Sequence, residues 1–85
     1  MRNYDTPENT MMNKEIVSAV SETIETLPEE LKEAIALREM DGLSYEEIAE
    51  IMQCPIGTVR SRIFRAREAI AEKLKPLIEE SNKRW

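Results

Sequence analysis

The 85-residue chain has no histidine, one cysteine, two glycines and a single phenylalanine. Cys54 has no second cysteine for an internal disulfide, and without histidine the usual zinc ligand sets are excluded. No cofactor and no metal are expected. A lone cysteine fits a reducing, cytoplasmic setting, where disulfides are rare. The chain also lacks a glycine-rich phosphate loop and any nucleophile beside a plausible base, so it is not read as an enzyme. No apolar run approaches the ~18 residues of a membrane span, and no signal-peptide pattern appears. Two glycines and four prolines make too few turns for a many-stranded sandwich. With 41% hydrophobic and only 5% aromatic residues, the composition suits a small all-α domain. Eighty-five residues allow one such domain, spanning 1–85, whose stability is modest because a short chain buries little surface.

Charge is abundant but unevenly placed. Residues 1–42 carry ten acids and four bases, a balance of -6; residues 43–85 carry seven acids and eight bases, a balance of +1. The thirteen residues PIGTVRSRIFRAR hold four arginines and no acid. A wholly basic protein would suggest indiscriminate nucleic-acid binding. A positive stripe on a chain of net charge -5 suggests one DNA-facing surface, the acids elsewhere limiting stray adsorption. Plain solvation of helix faces explains an acidic half equally well.

Four helices are legible. Residues 1–5 read as a frayed start. Thr6, Pro7 and Glu8 form a helix-start signal, followed by Met12, Ile16, Val17, Val20, Ile24 and Leu27 at helical spacing. Pro28 breaks that pattern and opens a second helix with Leu31, Ala34, Ile35 and Leu37 on its apolar face. Asp41-Gly42 stops it, glycine being free to adopt a left-handed cap. Ser44, three residues before Glu47, matches a capping box that starts a third helix with Ile48, Ala49, Ile51 and Met52 inward. Gln53, Cys54 and Pro55 form a turn in which Cys54 reads as a small buried apolar residue. The fourth helix follows from about Pro55 to Thr58 and buries Val59, Ile63, Ala66, Ile70 and Leu74. Pro76 lacks an amide hydrogen, so a kink or a stop is expected there, with Leu77 and Ile78 packing beyond it and a loose tail over 80–85. A short helix, a tight turn and an arginine-bearing helix over about 44–75 are the parts of a helix-turn-helix, which places its second helix in the DNA major groove.

At ~100° per residue, Ile63, Ala66, Ile70 and Leu74 fall within roughly 60° of Val59. Ser61, Phe64, Arg65 and Glu68 point the opposite way, with Arg60 and Arg67 on one flank and Arg62 on the other. Arginine grips guanine O6 and N7 with two hydrogen bonds, a hydroxyl serves base or phosphate, and an apolar ring rests on a thymine methyl. Arg60, Ser61, Phe64 and Arg65 are the candidates for base edges. Thr58, Arg62 and Arg67 are the candidates for phosphates. Tyr45 either reaches a phosphate through its hydroxyl or is a core ring. Arg38 either meets phosphate or pairs with a nearby acid. Phe64 either reads DNA or packs on the first helix.

The string LPEELKEAIALREMDGLSYEEIAEIMQCPIGTVRSRIFRAREAIAEKL resembles region 4 of bacterial RNA polymerase sigma factors. It is most similar to the extracytoplasmic-function group, sigma-E type, over about Pro7 to Ile78. Its most specific stretch is DGLSYEEIAEIMQCPIGTVRSRIFRAREAI. Gln53 stands where many helix-turn-helix proteins have glycine. The resemblance implies reading of the −35 promoter element, GGAAC-like double-stranded DNA, as part of the polymerase holoenzyme. It implies base contacts from Arg60, Ser61, Phe64 and Arg65, and backbone contacts near Arg38, Ser44, Tyr45 and Thr58. It also implies two protein partners, the flap of the polymerase beta subunit and an anti-sigma factor. Region 2, which in that group binds core enzyme and melts the −10 element, has no counterpart in the sequence. The chain is therefore not expected to initiate transcription alone.

The leading expectation is a monomeric DNA-binding module of a sigma factor, with no membrane insertion of its own. One alternative is a stand-alone regulator binding a two-fold site as a dimer, for which Leu77-Ile78 is a short dimerisation segment. The other is a decoy that binds an anti-sigma factor or the beta flap without using DNA.

Overall fold

The computed structural model describes residues 7–83, and side chains over 13–80. Four helices follow one another: α1 (Pro7–Thr26), α2 (Glu29–Glu39), α3 (Tyr45–Met52) and α4 (Ile56–Lys83). No strand occurs among the described residues, so the fold class is all-α, as the sequence indicates. The Thr6 cap and the start over 1–5 lie outside the described residues.

Each boundary has a local cause. Pro28 sits in extended backbone (φ -54°, ψ 150°), and its carbonyl accepts from the Leu31 and Lys32 amides at 3.0 and 2.9 Å. Glu29 and Glu30 then occupy the first turn of α2 and Arg38 the last, both matched to the helix dipole. Gly42 takes φ +68°, the left-handed conformation that ends α2. The Ser44–Glu47 capping box forms: the Glu47 amide donates to Ser44 Oγ at 3.1 Å and the Ser44 amide to Glu47 Oε1 at 2.8 Å. At the far end of α3, Gln53 is left-handed (φ 55°, ψ 53°). The Cys54 amide reaches back to the Ala49 carbonyl at 3.1 Å and the Gln53 amide to Glu50 at 3.3 Å. That pair of bonds is a Schellman motif closed by a residue other than glycine. The Pro55 carbonyl accepts from Thr58 and Val59, opening α4.

α4 is the hub, packing against α1, α2 and α3. The core is Ala34 and Ile35 from α2, Ile48 from α3, and Val59, Ile63 and Ala66 from α4. Leu27, Leu31, Leu37 and Leu43 close around it, and half-buried Cys54 packs there too. Val59 and Ala66 are 0% exposed and Ile63 is 1%, so the inner side of α4 is fixed.

Several expectations need correction. Val17 and Ile51, read as inward, are 62% and 52% exposed. Each lies at the rim of its apolar stripe, where the neighbouring helices do not reach. Ile78 is 49% exposed instead of packing after a break. α4 does not stop at Pro76 but runs on to Lys83; residues 84 and 85 lie outside the description. Proline removes only the helical bond to the Glu72 carbonyl, and both residues are exposed, so water can serve that oxygen. Conversely, Thr23 is buried, its hydroxyl donating to the Ala19 carbonyl at 2.7 Å.

Candidate nucleic-acid interface

The first three turns of α4 divide cleanly. With Val59, Ile63 and Ala66 locked inward, Arg60, Ser61, Phe64 and Arg65 all emerge exposed. Phe64 is 64% exposed, in the middle of the arginine-bearing face and away from the core. The ring therefore does not pack on the first helix and stands in solvent among the arginines.

The flanking residues are held by neighbouring helices. Arg38 makes no ion pair with an acid among the described residues: its Nη1 donates to the Leu43 carbonyl at 2.7 Å. Its guanidinium also lies 5.0 Å from the centroid of the Tyr45 ring. Tyr45 is half-buried and packs against the core, so the ring reading of this side chain is correct for its base, whatever its hydroxyl meets. The Arg60 guanidinium lies 5.9 Å from the same ring. Thr58 is half-buried in the first turn of α4. Arg62 is also half-buried, its Nη1 donating to Cys54 Sγ at 3.8 Å. Ser44 carries the capping box, so its oxygen is already an acceptor.

Arg67 has a partner that the sequence did not reveal. Its Nε and Nη2 both donate to Glu39 Oε2 on α2, the former at 3.2 Å. The Glu39 hydrogen bond raises the guanidinium above its ordinary value, partial burial opposing it and Tyr45 adding to it. Both side chains are 51% exposed, so solvent weakens the pair. Twenty-eight residues separate the two, and no local spacing rule links such a pair.

Two surface depressions flank this face. One, of about 460 Å³, lies between the start of α2 and the start of α4, lined by Glu30 and Leu31 and by Thr58, Ser61, Arg62 and Arg65. Glu30 thus shares a cleft with two of the arginines, a second feature that sequence reasoning missed. The other, of about 210 Å³, is almost wholly apolar, formed by Val20, Ile24, Ile35, Ala36, Met40 and Ile70, with Glu39 and Arg67 beside it. Among the described residues there is no cluster able to hold a metal ion, and no helix is long and apolar enough to cross a membrane.

A capped short helix, a Schellman turn and a helix with an exposed arginine-and-aromatic face have the arrangement of a helix-turn-helix. Residues 18–70 match the family model of sigma-70, region 4. The chain belongs to that family. It is 63% identical over 78 residues to the ECF RNA polymerase sigma-E factor of Haemophilus influenzae, covering 92% of this chain and 41% of that protein. The proteins of the same description from Escherichia coli K12 and Salmonella typhimurium LT2 match at the same identity and coverage. The chain thus spans about two-fifths of the length of these relatives. The region 4 match takes in α2, α3, the turn and α4 as far as Ile70, and therefore the whole of the arginine-bearing face.

Proposed function

We propose that this chain reads the −35 promoter element, GGAAC-like duplex DNA, as the region 4 domain of a sigma factor within RNA polymerase holoenzyme, in the cytoplasm. Arg60 and Arg65 take guanine edges, Phe64 a thymine methyl, and Ser61 a base edge between them. Thr58 and Arg62 meet phosphates at the start of α4. Ser44, Tyr45 and Arg38 meet them at the α2–α3 corner, and Arg67 does so by exchanging Glu39 for phosphate. The observation that carries this reading is Phe64, 64% exposed between arginines on a helix whose other side is sealed in the core.

The apolar groove between α1, α2 and α4 supports a second surface on the same domain. There the polymerase beta flap docks in the holoenzyme, and an anti-sigma factor competes for it. Met40, at 83% exposure, is the accessible edge of that groove.

The test is selection of bound duplexes from a random pool by this chain fused to a sigma region 2. Enrichment of one asymmetric GGAAC-like site is the expected result. A two-fold symmetric site would instead make the chain a dimeric regulator. No enrichment, with partner binding intact, would make it a decoy.

A further inference from the structure

We propose that the Tyr45 ring is a positioning residue for Arg60, fixing where that guanidinium meets its base pair. This inference rests on the promoter-reading proposal above. Tyr45 is the first residue of α3, directly after the Ser44 cap, so its backbone is set by the Ser44–Glu47 box. Its ring is seated against the core. Two guanidinium groups share that ring: Arg38 from the end of α2 at 5.0 Å and Arg60 from α4 at 5.9 Å. One aromatic side chain therefore ties three helices together beside the reading face. Arg38 is held in place independently, by its bond to the Leu43 carbonyl at 2.7 Å. Arg60 stands on the outer surface of α4, where the ring attracts its cation.

The consequence is for specificity more than for affinity. An arginine side chain free in solvent samples many rotamers, and most of them miss the fork geometry that guanine needs. A π face that favours one of them lowers the ordering cost of the correct contact, which is preorganisation. The ring also offsets repulsion between Arg38 and Arg60, letting two positive groups stand together where a phosphate backbone passes. The hydroxyl faces Arg67, and any contact it makes to phosphate carries no sequence information.

Tyr45→Phe and Tyr45→Leu separate these roles. Binding is measured by fluorescence anisotropy against a GGAAC duplex and each single-base-pair variant of it, alone and in the Arg60→Ala background. Tyr45→Leu is expected to reduce discrimination at the base pair that Arg60 reads by about two- to five-fold, the range of an exposed cation–π contact. Discrimination at the Arg65 base pair stays as it was, and Tyr45→Phe keeps both. In the Arg60→Ala background, Tyr45→Leu removes no further discrimination.

The inference is overturned if Tyr45→Phe loses as much discrimination as Tyr45→Leu, or if Tyr45→Leu weakens all duplexes alike. Should Tyr45→Leu not fold, the same question is put to NMR. Ring-current shifts on the Arg60 side chain must then be present in both the parent and Tyr45→Phe, and their absence overturns the inference as well. Failure of the underlying reading looks different: the parent chain then discriminates at no base pair, and both proposals fall together.

Discussion

At the scale of single residues, location separates the arginines proposed to read sequence from those proposed only to hold DNA. Arg65 is exposed on the face opposite the core. Its replacement by alanine should cost about 1–3 kcal/mol of binding and relax preference at one base pair. Arg62 is turned toward the Cys54 sulfur at the start of α4. Arg62→Ala should weaken all sequences alike and lower the salt slope of binding by about one unit. Anisotropy titrations at several salt concentrations check both. Glu39 gives a sharper case, because it neutralises Arg67 on the opposite flank. Glu39→Gln frees that guanidinium for phosphate, so affinity should rise for every duplex and the salt slope should steepen. Unchanged binding would remove Arg67 from the phosphate set. The face itself was legible because a helical period of 3.6 sorts side chains by angle. The partners were not legible, since Arg67 and Glu39 meet only through the packing of α2 on α4.

At the scale of elements, the helix boundaries were written in capping chemistry, and the breaks beyond them were not. Ser44 and Glu47 announce the start of α3 by spacing alone, and both bonds form. Ser44→Ala should lower stability by about 1 kcal/mol, seen as a lower thermal midpoint in circular dichroism. If Ser44 also meets phosphate, the variant loses DNA affinity at temperatures where it remains folded. Gln53 occupies the left-handed turn position at φ 55° without being glycine. Gln53→Gly should therefore leave stability equal or raise it by less than about 1 kcal/mol, the relief of strain being offset by glycine's greater freedom when unfolded. A loss of stability would mean that the glutamine side chain makes a contact worth more than the strain. Pro76 shows the opposite limit of sequence reading. Proline was expected to kink or end α4; it does not end the helix, because one missing bond on an exposed surface does not outweigh the helix on either side. Ile51 and Val17 misled for a related reason: apolar spacing marks the edge of a stripe as readily as its centre, and only neighbouring helices decide how wide the covered strip is.

At the scale of the whole molecule, two surfaces sit on one small scaffold, and they are nearly independent. The arginine face belongs to the outer side of α4's first turns, whereas the apolar groove lies between α1, α2 and the later turns of α4. The core residues Ile63 and Ala66 stand between them and are buried, and Arg67 with its partner Glu39 is the point where the two meet. Met40 is the residue that tests this separation. At 83% exposure it contributes almost nothing to the core, so Met40→Asp should leave the thermal midpoint within about 0.5 kcal/mol of the parent. A carboxylate at the rim of an apolar groove must be desolvated when a partner helix enters, and the one cation of the lining, Arg67, is already paired with Glu39. Binding of a beta-flap fragment, followed by calorimetry, should therefore fall by an order of magnitude or more, while affinity for the −35 duplex stays the same. Coupled loss of both activities would show that the groove and the reading face form one surface, and the tethering of this domain to promoter DNA through polymerase would need a different geometry.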